Sequence, residues 1–304
     1  MIDGLSPVTR EGTAIANFFW LVLALSLVVF LVVAVPLVVA LVRYRARPGD
    51  DAEPPQIHGN TRLEVTWTSA AALLIGALFV MAYLTMSQVD AAPADAPRVD
   101  VIGHQWWWEL RYRDQSVVTA NELHLPVGQQ VVLELASADV VHSFWVPRFG
   151  WKRDAVPGKV NELPIRVDQA GTFPGVCTEY CGTQHAWMQL RVVAEPREQF
   201  DAWVRGQQAT ATAQGRGLDV FLSNTCASCH MINGTAAGAR VGPDLTHLGS
   251  RSTLGAGVLD NNPENLRHWI QSPQDVKPGV RMPNFTQLSD ADLDALTQYL
   301  GSLK

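Results

Sequence analysis

Apolar residues crowd the first third of the chain and give way to alternation beyond it. No side chain from Ala14 to Val42 is charged, and none from Val65 to Val89. Both runs exceed the roughly 20 residues a helix needs to cross a bilayer. Pro36 falls inside the first and predicts a kink that neighbouring helices would tolerate. A polar, proline-bearing loop at 48–62 separates them, so residues 1–90 predict a membrane-spanning αα-hairpin preceded by an irregular lead-in. After a linker, A-A-P-A-D-A-P at 91–97, the pattern changes to short strands. V-V-L-E-L and K-V-N-E-L-P-I-R-V alternate as half-buried strands do, and V-D-V-I-G-H-Q-W-W-W-E-L-R-Y mixes β-branched and aromatic residues. Residues 91–205 therefore predict an all-β, Greek-key sandwich. A small, polar linker at 206–214 follows. Residues 215–304 predict a small all-α domain whose last helix opens on Ser289 as N-cap, with acids in its first turn.

A cleaved signal peptide is a rival for the first run. Its apolar core would be shorter and a small-residue cleavage site would follow; Arg43, Arg45 and Arg47 follow instead. A presequence upstream of Met1 stays open. The arginines predict a cytoplasmic loop and an N-terminus on the outer side. Neither span holds an ionisable group, so the chain alone offers no proton path through the hydrocarbon, and both helices read as packing surfaces for a larger membrane partner. The net charge of −6 over 304 residues, with no basic tract, argues against nucleic acid.

The four cysteines form two close pairs, at 177/181 and 226/229. Cys177 to Met188 reads C-T-E-Y-C-G-T-Q-H-A-W-M. Two thiols, the His185 imidazole and the Met188 thioether suit copper, and two thiolates could bridge a pair of copper ions. A second imidazole must come from elsewhere, with His142 in V-V-H-S-F-W the best placed. The Glu179 carbonyl could complete one ion's shell and Met188 weakly complete the other. Three rivals stay open: a Cys2His2 zinc site, a plain disulfide and a copper chaperone.

Cys226-Ala-Ser-Cys229-His230 is the C-x-x-C-H attachment motif of c-type haem, with thioether bonds to both thiols and His230 as an axial ligand. A thioredoxin-like pair would want a βαβ context, which is missing. Met231 cannot reach the opposite face of the haem. Met282, in V-R-M-P-N-F, is the expected sixth ligand, ahead of His247 and His268, which read as surface or packing residues.

The run C-x-E-x-C-x3-H-x2-M, preceded by H-S-F-x-V-P and K-x-D-A-x-P-G-x-x-N, resembles subunit II of cytochrome c oxidase over roughly residues 10–200. The resemblance implies a cupredoxin fold and a dinuclear CuA centre with His142, Cys177, Glu179 through its carbonyl, Cys181, His185 and Met188 as ligands. His142 would end one strand, and the Cys177–Met188 loop would join the last two. G-H-Q-W-W-W resembles the family's aromatic cluster, implying that electrons enter at Trp106. E-x-x-W-T resembles a stretch whose glutamate, here Glu64, stands at the mouth of a proton channel. The carboxylate of Glu179 would share a magnesium ion with subunit I. The family's paired docking acids are reduced here to Ala138–Asp139, a thinner patch for a soluble basic partner.

V-G-P-D-L at 241–245 resembles the class I cytochrome c loop whose proline carbonyl orients the axial histidine. The whole order resembles the fused subunit II of a caa3-type oxidase. That implies a bacterial inner-membrane protein with copper and haem domains on the periplasmic face. Electrons would pass from a cytochrome c or a bc1-type complex through haem c and CuA to haem a in subunit I. Oxygen reduction at haem a3–CuB and proton pumping would lie in subunit I, with subunit III a further partner. The tether would hold the haem domain near CuA at an effective concentration of about a millimolar. Other readings are a membrane-anchored electron carrier serving a different reductase, or a copper-delivery protein.

Overall fold

The computed structural model describes residues 3–45, 48, 49, 53, 55–210 and 214–304. Arg47 and parts of the 48–62 loop and of the 206–214 linker lie outside the described residues. The chain divides into two compact units, one comprising Thr13–Asp90 and the other residues up to Gly12 together with Ala91–Lys304.

Two helices account for most of the first unit, α1 (Arg10–Arg43) and α2 (Thr61–Val89). Their apolar side chains are mostly exposed, among them Phe30, Leu73 and Phe79. Such all-round apolarity without burial is the surface of a membrane span. Pro36 lies within α1 without ending it. Asn60 caps α2: its side chain accepts from Leu63 N (3.2 Å), while Glu64 Oε1 accepts from Asn60 N (3.2 Å). That reciprocal pair satisfies free N–H groups of the first turn.

Ten strands build the second unit's larger half. They are β1 (Arg98–His104), β2 (Trp107–Tyr112), β3 (Val117–Ala120), β4 (Glu122–Pro126), β5 (Gln130–Ser137), β6 (His142–Trp145), β7 (Lys152–Ala155), β8 (Asn161–Arg166), β9 (Gly171–Cys177) and β10 (Gln189–Glu195). One sheet runs β3-β2-β1-β5-β8 and the other β4-β10-β9-β6-β7. β1 pairs parallel with β5, and β4 parallel with β10; the other pairs are antiparallel. Alternate residues point inward, Val99 and Val101 from β1 and Leu133 and Leu135 from β5, to meet Phe144, Leu190 and Val192 of the facing sheet. This is the expected sandwich.

The lead-in is not irregular. Val8 is buried in the sandwich core, its N–H bonding Arg148 O (2.9 Å) and its carbonyl accepting from Asp168 N (2.8 Å). Buried Glu11 accepts from Gln130 Nε2 and Arg166 N, both at 3.0 Å. A short mixed-polarity sequence gave no periodicity to reveal this docking.

In the smaller half, which follows α3 (Arg197–Gln207), α4 (Arg216–Ser223) packs on α7 (Asp290–Ser302), which also packs on α5 (Pro263–Gln271), and α5 packs on α6 (Pro273–Val276). Phe221, Leu266, Ile270, Leu293, Leu296 and Leu300 form its core. Ser289 Oγ accepts from Asp292 N (3.1 Å), the cap expected for α7.

Candidate metal centre and haem site

Strand register assembles the first site. His142 opens β6 rather than ending a strand. Cys177 ends β9, where the ladder sets it opposite Phe144. The loop from Thr178 returns through a 3-10 turn at His185–Trp187 and enters β10. Its ends are pinned by Cys177 N bonding Met188 O and Thr178 N bonding Ser143 O, each 3.0 Å.

Six donor atoms converge there. Cys177 Sγ lies 3.8 Å from Cys181 Sγ, 3.9 Å from His142 Nδ1 and 3.3 Å from Glu179 O. Cys181 Sγ lies 3.5 Å from His185 Nδ1 and 3.9 Å from Met188 Sδ. Both thiols are free, and His142, Cys177, Cys181 and Met188 are buried. The hydrogen bond from Cys181 and then that from His142 hold the Cys177 thiol far below its ordinary value, while sharing that proton pushes Cys181 up. A bound cation would favour the deprotonated form of both thiols. Two thiols, two imidazoles, a thioether and a carbonyl fit copper's preference for soft sulfur and imidazole.

A second layer holds the imidazole. His142 Nε2 meets Asp139 Oδ1 at 2.8 Å, and Gln105 N donates to Asp139 Oδ2 at 2.7 Å. Burial works against the Asp139 charge, but these bonds outweigh it and keep the carboxyl below its usual range. Asp139 orients His142 so that Nδ1 faces the thiols. Gly103 permits this, since a Cβ there would sit 2.6 Å from His142 Cδ2. Asp139→Ala should weaken copper retention about 10–100-fold, read as copper lost to a chelator while the sandwich stays folded by circular dichroism.

The second site follows α4. A 3-10 turn, Thr225–Ser228, carries Cys226, and His230 N bonds back to Cys226 O (3.0 Å). His230 Nδ1 donates to Pro243 O at 2.7 Å, which leaves Nε2 as the free ligand atom. Burial lowers the His230 pKa, favouring the neutral imidazole that iron needs. Cys226 and Cys229 are free thiols. Among the described residues both ring nitrogens of buried His247, and Arg251 Nε, lack a hydrogen-bond partner. A domain with orphaned buried donors beside C-x-x-C-H fits a large polar-edged group such as haem. His247 is thus no surface residue, whereas His268 is exposed. Met282 is half-buried, its carbonyl accepting from Gln274 Nε2 (2.8 Å).

Comparison with known proteins agrees with this geometry. The family profile for the cytochrome c oxidase subunit II transmembrane domain matches residues 1–86, that for its periplasmic domain 115–195, and that for cytochrome c 215–304. The chain is 40% identical over 299 residues to cytochrome c oxidase subunit 2 of Alkalihalophilus pseudofirmus, covering 95% of this chain and 86% of that protein. The chain belongs to the cytochrome c oxidase subunit II family. It is also 35% identical over 286 residues to subunit 2 of a Bacillus species, covering 86% and 80%, and 34% identical over 289 residues to that of Bacillus subtilis, covering 87% and 81%.

As a subunit II fused to a cytochrome c domain, the chain is the part of a haem-copper oxidase, an oxidoreductase complex, that takes electrons from a redox partner. It combines two membrane-spanning helices, a cupredoxin-like sandwich and a helical cytochrome c domain.

The three adjacent tryptophans of this subunit II do not alternate along one strand. Trp106 sits in the β1–β2 turn; only Trp107 and Trp108 are in β2. Trp108 is buried, edge-on to His142 at 5.9 Å and to Phe144 at 5.8 Å. Trp107 stacks on His104 at 4.3 Å. Trp106 Nε1 donates to Cys181 O (3.0 Å), and Gln105 Nε2 donates to the same carbonyl (2.7 Å).

His104 Nε2 meets Glu109 Oε2 at 2.9 Å, and Arg111 Nε donates to Oε1 at 2.7 Å. Burial opposes the Glu109 charge, but the His104 and Arg111 bonds outweigh it and lower its pKa to about 2. A carboxylate depressed in the fold contributes stability above its unfolded value and loses it as pH falls toward the folded one. Thermal melts should therefore weaken from about pH 4.5 down to pH 2, and Glu109→Gln should remove much of that slope; the contribution at neutral pH is on the order of 3 kcal/mol.

Proposed function

We propose that His142, Cys177, the Glu179 carbonyl, Cys181, His185 and Met188 hold a dinuclear CuA centre, and that Cys226, Cys229, His230 and Met282 hold haem c. The observation that carries this is the free thiol pair, 3.8 Å apart, with imidazole and further donors on either side. A four-coordinate zinc site would leave the Glu179 carbonyl and Met188 sulfur without a purpose. When bound, the groups would supply the one-electron chemistry that carries electrons from an external donor through haem c and CuA to haem a in subunit I, where oxygen reduction and proton pumping take place.

The protein's own part is to hold donors still. Met188 and His142 are fully buried, and the loop is tied at both ends to paired strands, which limits rearrangement between oxidation states. Trp106 is the proposed point at which electrons enter, since its ring nitrogen is bonded to the backbone of Cys181. The Glu179 side chain is exposed, which supports a magnesium ion shared with subunit I. Glu64 caps α2, and a proton-channel role would be added to that cap. Residues 1–90, 91–205 and 215–304 are proposed as separate domains joined by the 206–214 linker. Docking of the lead-in on the sandwich supports an N-terminus on the same, periplasmic side of a bacterial inner membrane. Subunit III and a cytochrome c or bc1-type donor complete the proposed assembly.

Affinity purification of the full chain from its native membrane tests this reading. A co-purifying haem-a polypeptide with oxygen uptake supports it. A partner lacking haem a would favour a membrane-anchored carrier for another reductase.

A further inference from the structure

Buried polar groups cross between the two halves of the larger unit. Glu122, at the start of β4, is 4% exposed and aims at the helical half. Its carboxylate accepts from Ser252 N (2.9 and 3.0 Å), Ser252 Oγ (2.7 Å), Thr253 N (2.8 Å) and Thr253 Oγ1 (2.9 Å). Lys277 from the helical half is 2% exposed, and its ammonium donates to Trp187 O (3.1 Å) in the copper loop and to Gly255 O (3.0 Å). Burial lowers the Lys277 pKa to about 8.

The segment after Lys277 then lies along the copper loop. Gln184 Nε2 donates to Pro278 O. Gly279 has φ +91°, which favours glycine, and a Cβ there would stand a tight 3.2 Å from Thr183 Cγ2. Arg281 donates to Gln105 Oε1 (2.5 Å), and its guanidinium lies 5.8 Å from the Trp106 ring centroid. The residue next in sequence is Met282.

We propose that Glu122 and Lys277 lock the cytochrome c domain onto the copper domain and thereby position residues 278–282 against Trp106 for electron transfer within one chain. The lock rests on the reading of Cys177–Met188 as the copper loop. It replaces the tethered encounter expected from the linker with a standing interface. With both groups bound, haem c would supply one electron to the copper pair, and no bond or proton would change hands. A carboxylate saturated by five hydrogen bonds and an ammonium shut away from water are poorly screened by salt, unlike the surface charges of a diffusing donor. Both residues are positioning residues, since neither touches iron or copper.

The test inserts a protease site at the linker of the full chain within the purified oxidase. After cleavage the cytochrome c fragment should stay bound, and haem c to copper electron transfer should be independent of viscosity and of ionic strength. Lys277→Met and Glu122→Gln should release the fragment, slow transfer by at least about tenfold and make it viscosity-dependent. Their haem c absorption and copper signals should be unchanged. Ser252→Ala, which removes one donor to Glu122, should give a smaller change in the same direction. Release of the fragment from the unmutated protein would overturn the lock, as would variants whose rate and fragment retention match the parent. A copper signal from a single ion would instead sink the copper reading and leave fragment retention as the lock's own readout.

Discussion

Replacing Cys181 with serine is expected to abolish the two-copper centre and cut oxidase turnover with an external donor by roughly a hundredfold, about 2.7 kcal/mol of barrier. Cys181 lies between three other donors, 3.8 Å from Cys177 Sγ, 3.5 Å from His185 Nδ1 and 3.9 Å from Met188 Sδ. A hydroxyl is a hard, feebly acidic group that soft copper does not favour. Without the second sulfur, His185 and Met188 lose the atom through which they would share an electron with the Cys177 side. The backbone contribution of Cys181 survives, because its carbonyl still accepts from Trp106 and Gln105. The sandwich should therefore fold, and copper content per chain should fall from two toward one. Haem c should still be reduced by the donor and then stall, which stopped-flow spectroscopy reads directly.

Gly242→Ala should damage the haem site to a comparable degree from outside the ligand set. A Cβ at that position would sit 2.6 Å from His230 Cε1 and 3.0 Å from Nδ1. Carbon atoms in contact prefer 3.5–4.0 Å, so the ring must move by about an ångström. It cannot do so while Nδ1 is bonded to Pro243 O at 2.7 Å. Either the hydrogen bond breaks or Nε2 turns away from the iron. The expected result is a destabilisation of about 1–3 kcal/mol, with haem incorporation lowered or the low-spin spectrum lost. Gly238→Ala is the control, since a Cβ there meets nothing within 4 Å. Gly103 plays the same part against His142, so the His230 and His142 imidazoles each rest on a residue that can have no side chain.

The donors of the Cys177–Met188 run and of C-x-x-C-H stand out in sequence because they are local, whereas His142 and Met282 lie far along the chain. Cys177 to Met188 spans twelve residues and C-x-x-C-H five, and no tertiary knowledge is needed to see that soft donors cluster there. The two apolar runs were equally plain, as was the capped final helix. What escaped was whatever depends on a distant partner. Asp139 reads as a leftover surface acid until the β1–β2 turn brings Gln105 beside it. That Trp106 sits in the hairpin turn, apart from Trp107 and Trp108 in β2, is settled only by the fold. Val8 and Glu11 lack any periodicity, and their burial depends on the 148–150 and 166–168 segments far along the chain. Glu122 and Lys277 look like ordinary surface charges in strand and loop. Only the packing of one domain on the other removes them from water, and a polar linker at 206–214 suggested independence instead.

The central claim is a thiolate-bridged copper pair, and electron paramagnetic resonance of the copper-loaded full chain tests it most directly. The account predicts a signal from one electron shared equally by two coppers, beside a low-spin haem signal. A spectrum of one isolated copper, or tight zinc with no copper signal, would contradict it.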